Sequence, residues 1–128
     1  MGTPTLLDSN IAIYLAKGGL PEDVRNRLSK LTQDGFNLSV VTKIELLGYR
    51  FPDRKEEVVT RDLVETSQVF GLTDAVAEQT IDIRRKHKIK LPDAVIAATA
   101  LTYGLTLITR NTSDFAGIDG LSVVNPFG

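Results

Sequence analysis

Residues 91–109 read LPDAVIAATALTYGLTLIT. The first part has the marks of a helix: Pro92 suits a first turn, the alanines are strong helix formers, and Gly104 supplies a stop. LTLIT, at 105–109, is a short unbroken apolar run, the form of a strand buried on both faces. A helix feeding such a strand is the building unit of an α/β domain. One residue sits oddly in this unit. Asp93 precedes Ile96, Ala97, Ala100 and Leu101 by three, four, seven and eight positions, so its carboxylate shares a helical face with apolar residues. A first-turn acid usually complements the helix dipole and faces water. This one is predicted to aim where the core lies, with alanines at 97, 98 and 100 allowing a close approach to a sheet.

The rest of the chain repeats the alternation. Thr5–Leu7 reads as a buried first strand, and Asp8, Ser9 and Asn10 offer helix caps before IAIYLAK, which stops at Gly18-Gly19. Pro21 is placed as the first residue of a second helix whose apolar face is Val24, Leu28 and Leu31 and which Gly35 ends. FNLSVV, 36–41, is strand-like, and Thr42-Lys43-Ile44-Glu45 has the form of a capping box opening a helix to about Tyr49. A polar helix follows over roughly 55–67, with Val59, Leu63 and Thr66 on one side. Val69–Leu72 is a short strand, and Thr73 or Asp74 caps a helix carrying Val76, Thr80, Ile83 and His87. LSVV, 121–124, is the last strand, closed by Asn125-Pro126. The strands are apolar runs rather than apolar–polar alternations. The expectation is one α/β domain over residues 1–128, with a mostly parallel sheet covered on both faces.

Composition narrows the chemistry. The 128 residues are 42% hydrophobic and 24% charged, the balance of an ordinary globular protein. There is no cysteine, which excludes disulfides, zinc–thiolate sites and iron–sulfur clusters. His87 is the single histidine, so any metal must rest on oxygen ligands. The apolar stretches are too short to span a bilayer, and MGTPTLLDSN lacks a signal-peptide pattern, so the expected location is the cytoplasm. Net charge is −1, so the overall field does not draw nucleic acid, and local clusters matter more. RRKHKIK, 84–90, supplies Arg84, Arg85, Lys86, Lys88 and Lys90; Arg50, Arg54 and Lys55 bracket a turn at Pro52-Asp53. Two readings are open for each cluster, a solvated face or a groove for phosphates.

Four acids stand at the starts of elements. Open parallel sheets bind ligands beyond the carboxyl ends of their strands. Asp8, Glu45 and Asp114 follow predicted strands there, and Asp93 arrives at the head of its helix. Each acid also has a local role open to it: Asp8 as a cap, Glu45 in the capping box, Asp114 in the turn at 110–114, Asp93 toward the dipole. Together they point to a shared edge. Two carboxylates ~5 Å apart repel by roughly 3 kcal/mol at an effective dielectric of 20, so a convergent set calls for protons or a cation. A hard cation, Mg²⁺ or Mn²⁺, suits carboxylates and retained waters. Such a site suggests phosphate chemistry, with the metal activating water and stabilising the leaving oxygen. No Walker A loop, GxSxG or HExxH is present, and Ser9, Ser39 and Ser113 have no histidine base in view.

TLLDSNIAIYL, SVVTKIELLGY, LPDAVIAATAL and LITRNTSDFAGIDGLSVVNPF, in that order, closely resemble the successive motifs of PIN-domain ribonucleases, with the VapC-type toxins of toxin–antitoxin pairs as the nearest branch. The motifs span the chain from Asp8 to Phe127, and the ordered set is specific where any one alone is not. The resemblance implies a three-layer α/β/α fold around a mostly parallel sheet of four or five strands. It implies Mg²⁺- or Mn²⁺-dependent cleavage of single-stranded or loop RNA. It carries catalytic roles onto Asp8, Glu45, Asp93 and Asp114, with Asp8 and Asp93 holding the principal metal and Glu45 and Asp114 acting directly or through water. Asn111 and Thr109 take supporting roles, and Ser9 stands where many relatives have threonine, keeping a hydroxyl. Arg110 is a candidate for holding a neighbouring phosphate or is a plain surface charge. The resemblance further implies a cognate antitoxin and a homodimer, for which the helix edges near Ile11–Leu15 and Leu46–Tyr49 are candidate contact surfaces unless they only pack the core.

Two rival functions remain on sequence grounds. An aspartyl-nucleophile phosphatase using Asp8 normally wants a second acid two residues on, and position 10 is asparagine. A non-catalytic RNA-binding or regulatory module gains nothing from four acids facing phosphates.

Overall fold

In the computed structural model, which describes residues 3–128, the elements run β1 (Thr5–Leu7), α1 (Ser9–Lys17), α2 (Glu22–Leu31), β2 (Asn37–Ser39), α3 (Val40–Leu47), α4 (Arg54–Glu65), β3 (Gln68–Phe70), α5 (Asp74–Lys86), α6 (Leu91–Tyr103), β4 (Thr106–Ile108), a 3-10 turn (Thr112–Phe115) and β5 (Val123–Val124). Positions 1 and 2 of the expected 1–128 domain lie outside the described residues.

All strand ladders are parallel: β1 pairs with β4 (Leu6 opposite Leu107), β4 with β5 (Leu107 opposite Val123), and β2 with β3 (Leu38 opposite Val69). The two ladders meet where β2 lies beside β1, and the Asn37 Nδ2 amide donates to the Thr5 carbonyl at 2.8 Å across that seam. The strand order is therefore β3-β2-β1-β4-β5. β1 sits at the centre, the place where chain direction along the sheet reverses and where such folds put their ligands.

The layers follow from the two-residue period of strands. Leu6, Leu107, Phe70 and Val123 turn to one face and pack with Val76 and Ile83 of α5 and the body of α6. Leu7, Ile108, Leu38, Val69 and Val124 turn to the other and pack with Ile11, Val24, Leu28, Leu46 and Val64 of α1–α4. This is the three-layer α/β/α arrangement. The expected single apolar stripe on α6 is broader than its spacing implied. Ala94 through Ala100 are all buried, because α5 covers one side and the sheet and α3 the others. Alanines on several faces make that enclosure possible, and Gly104, at φ 65°, takes the left-handed conformation that ends the helix.

Several local expectations are corrected. The capping box at Thr42 does not form: α3 begins at Val40, with the Ser39 hydroxyl accepting from the Val41 amide at 3.2 Å. The strand expected over 36–41 is correspondingly cut to Asn37–Ser39, since Val40 and Val41 enter the helix despite their β-branching. Pro21 is the cap of α2 rather than its first helical residue, and α2 ends at Leu31, before Gly35. On α4 the buried residues are Thr60 and Val64, one position on from the expected side; Val59 is exposed, as is Thr66 at the C-cap. β3 starts at Gln68 and ends at Phe70, β4 spans only 106–108, and β5 only 123–124. No helix among the described residues is long and apolar enough to cross a membrane.

Candidate active site

Asp8 immediately follows β1. Its backbone N–H donates to the Ile108 carbonyl at 2.9 Å, extending the β1–β4 ladder by one bond. The same residue caps α1, with Oδ1 accepting from the Ser9 amide at 2.8 Å. Oδ2 accepts from Thr109 Oγ1 at 2.7 Å. The cap role open to Asp8 in the sequence is thus realised by one oxygen, while the other is taken by a bond from the end of β4. Asp8 is 5% exposed, and burial pushes its carboxyl above the ordinary range. The bonds from Thr109 and Ser9 pull the other way, and the nearby charges of Glu45 and Asp114 add to the rise.

Thr109, at the exit of β4, is fully buried. Its Oγ1 also accepts from the Asn111 amide at 3.0 Å, and the Asn111 carbonyl accepts from the Asp114 amide at 3.1 Å. The turn holding Asn111 and Asp114 is therefore indexed to the hydroxyl that holds Asp8. Both Asn111 and Asp114 are exposed, with side chains open to solvent.

Glu45 is the sixth of the eight residues of α3 and so lies toward its end rather than at its start. The Ser9 hydroxyl donates to Glu45 Oε1 at 2.7 Å and lies 3.0 Å from Thr42 Oγ1. Thr42, expected to cap the helix, is instead a fully buried hydroxyl packed behind Ser9. Its place beside Ser9 left no trace in the sequence, because the T-x-x-E spacing of Thr42 and Glu45 pointed to a local bond and not to one across 33 positions. Asp93 lies half-buried in the first turn of α6. Burial raises its carboxyl above the ordinary range, followed by the charges of Asp8, Asp114 and Glu45, with Lys90 opposing. Lys88, Lys90, Asp93, Ser113 and Asp114 line one polar cleft, so part of the 84–90 basic cluster does reach the acids. Arg84, Arg85 and Lys86 remain exposed on the last turn of α5, with Lys86 paired to Asp82.

The four acids thus share one edge and feel one another, but they do not close into a cage. Among the described residues, no three Asp, Glu or His side chains come close enough together to hold a metal ion. Two causes are visible: Glu45 is turned to Ser9, and both oxygens of Asp8 are engaged. The donor set still fits a hard cation that keeps most of its waters, which needs only one or two protein carboxylates. The raised protonation of Asp8 and Asp93 is the electrostatic cost that such a cation would relieve.

Arg110, next to Thr109, is neither free nor aimed at a carboxylate. Its Nη1 donates to the Tyr14 hydroxyl at 2.7 Å, and its guanidinium carbon lies 4.3 Å from the centre of the Phe127 ring.

The PIN domain family model matches residues 5–121. The chain is 33% identical over 125 residues to a tRNA(fMet)-specific endonuclease VapC of Shigella flexneri, covering 91% of this chain and 92% of that protein. It is 30% identical to a ribonuclease VapC of Rickettsia bellii, covering 93% of each. Among solved structures, a toxin–antitoxin complex from Klebsiella pneumoniae superimposes with a TM-score of 0.73 at 35% identity, covering 95% of this chain and 97% of that one. A match across nearly the whole chain, with each motif acid in place on the expected fold, settles the relationship: this chain belongs to the PIN-domain family, in its VapC-type branch.

Proposed function

We propose that the chain is a metal-dependent endoribonuclease and the toxin of a toxin–antitoxin pair, cleaving single-stranded or loop RNA. The observation that carries this reading is the buried Asp8 carboxylate, held by the Ser9 amide and the Thr109 hydroxyl within range of the charges of Glu45 and Asp114. Capping α1 and joining β4 use the two oxygens of Asp8, but neither role calls for the further acids gathered around it, and a cation would balance them. The ribonuclease names of the VapC relatives support the same reading.

Asp8 and Asp93 would hold Mg²⁺ or Mn²⁺, with Glu45 and Asp114 acting directly or through water. When bound, the ion supplies a water activated at neutral pH and neutralises charge on the scissile phosphate. The chain's own residues do the positioning. Thr109 and Ser9 fix the two oxygens of Asp8, and the Ser9 hydroxyl fixes Glu45. Lys88 and Lys90 face the same cleft as Asp93 and Asp114, where they offset the acids' repulsion of the RNA backbone. Any free carboxylate oxygen of the set is able to take the proton released by the attacking water.

The proposed antitoxin face is the apolar groove between α1, α3 and α4, lined by Ile13, Ala16, Leu46, Tyr49 and Phe51 and bordered by Glu45. The toxin–antitoxin complex among the structural relatives supports a partner of this kind. The candidate surface at Ile11–Leu15 narrows accordingly, since Ile11 and Ala12 belong to the core while Ile13 and Tyr49 are exposed. A homodimer remains part of the proposal, to be read from the mass of the purified protein in solution.

Sequencing of RNA ends after brief expression, beside an Asp8→Asn control, tests the reading. Discrete new ends with the wild type and none with the control are expected. Identical ends in both would remove Asp8 from the chemistry, and no new ends in either would favour a non-catalytic binding module.

A further inference from the structure

The chain has only three tyrosines and five phenylalanines and no tryptophan, so surfaces for stacking an RNA base are scarce. Two of these eight rings stand around one exposed arginine just past the end of β4. The Arg110 guanidinium carbon lies 4.3 Å from the Phe127 ring centre and 5.9 Å from that of Tyr14, and the two rings are 5.4 Å apart. The Tyr14 hydroxyl accepts from Nη1 at 2.7 Å, fixing the guanidinium within its own plane.

The segment carrying Phe127 is itself fastened. Arg27 Nη1 donates to the Pro126 carbonyl at 2.8 Å, the Asn125 side chain accepts from the Phe127 amide at 2.9 Å, and Pro126 is buried. Three contacts thus hold one ring against a guanidinium that is itself left exposed. Tyr14 and Phe127 also pack from behind on the apolar core of the α1–α4 layer, so the rings under the guanidinium are fixed. A flat cation pressed on a ring, with its edge bonded and its outer side in solvent, has the form of a stacking plate. Its position is also telling. Arg110 adjoins Thr109, the partner of Asp8, and Tyr14 lies six residues along α1 from Asp8, a rise of roughly 9 Å.

We propose that Tyr14, Arg110 and Phe127 form a platform that stacks one unpaired RNA base next to the phosphate being cut. The proposal rests on the ribonuclease reading above, and it replaces a phosphate contact by a base contact at Arg110. Stacking is tolerant of base identity, so the platform would favour unpaired RNA over paired RNA without reading sequence.

The test is binding by fluorescence anisotropy, in the Asp8→Asn background to prevent cutting. The probes are labelled oligo(A) and an oligomer of equal length with abasic riboses. The platform predicts that oligo(A) binds about tenfold more tightly than the abasic chain, the scale of one base stack. Adding Arg110→Ala should erase most of that preference, and Arg110→Lys, which keeps charge but not the plane, should do the same. Phe127→Leu, which removes the ring under the guanidinium, should also reduce it. Equal weakening of both probes by Arg110→Ala would mean a phosphate contact and overturn the platform, as would no base-dependent binding at all. Cleavage by the wild type separates the two proposals. If it cuts RNA while the base preference ignores Arg110, only the platform falls. If the preference depends on Arg110 while RNA stays intact, only the ribonuclease reading falls.

Discussion

Thr109 Oγ1 donates to Asp8 Oδ2 at 2.7 Å, tying the exit of β4 to the head of α1 across 101 positions of sequence. Both groups are buried, so neither has water to fall back on. Thr109→Val keeps the shape and removes the donor. It leaves a buried carboxylate oxygen and the Asn111 amide without their partner, a loss of about 1–3 kcal/mol in unfolding free energy. The bond lowers the Asp8 pKa, so its loss lets the carboxyl titrate still higher. The acid limb of the pH–rate profile should move to higher pH in Thr109→Val and return in Thr109→Ser. An unmoved limb would mean that Asp8 is not the group titrating there.

Asp8 and Asp93 both titrate above the ordinary 3.8 in the folded chain, chiefly through burial. A raised folded pKa means that the fold favours the neutral acid. That contribution is full below the unfolded pKa and is lost as pH rises through the folded one. At about pH 7 the ionised acids therefore weigh against the metal-free fold. Asp93→Asn should raise Tm in metal-free buffer near neutrality and leave it nearly unchanged at about pH 3, where the wild-type acid is already neutral. Scanning calorimetry at the two pH values reads the difference. A lower Tm for Asp93→Asn near neutrality would show that the carboxylate stabilises the fold and is not held there at a cost.

Addition of Mg²⁺ or Mn²⁺ should reverse that order. A ligand that binds the folded chain alone stabilises it by mass action, about 2.7 kcal/mol at a hundredfold excess over Kd. Wild-type Tm should climb with metal, and that of Asp8→Asn should stay nearly flat. Equal climbs would place the ion elsewhere.

The Ser9 hydroxyl joins Glu45 at 2.7 Å to the buried Thr42 hydroxyl at 3.0 Å. Ser9→Ala frees Glu45 and orphans Thr42, which costs about 1–3 kcal/mol of stability. Adding Thr42→Val removes the orphan and should restore most of the lost Tm. It does not restore the hold on Glu45, so cleavage should stay several-fold down in the double variant. Full recovery of activity with stability would reduce Ser9 to a packing role.

The chain's local patterns carried the architecture far. The short apolar runs at Thr5–Leu7 and 105–109 foretold parallel strands with cover on both faces, whereas Asp93, expected to aim at the core, is half-buried and lines a polar cleft. The ordered motifs placed all four acids on one edge. Contacts made between distant segments were out of reach. The capping-box spacing at Thr42 was outcompeted by Ser39 three positions earlier, because Thr42 is drawn into the bond with Ser9 of another helix. The Arg110–Tyr14 bond spans 96 positions and leaves no periodic trace. The hydroxyl donors that hold Asp8 and Glu45 come from distant segments and were equally out of reach of any local pattern.

The most direct test of the account is cleavage of single-stranded RNA by the purified protein, with Mg²⁺ or Mn²⁺ present or chelated, in the wild type, Asp8→Asn and Asp93→Asn. The account predicts metal-dependent cutting by the wild type, and its loss in both variants with the fold retained and RNA bound more tightly as the repelling charge is removed. Metal-dependent cutting that survives either substitution would contradict it.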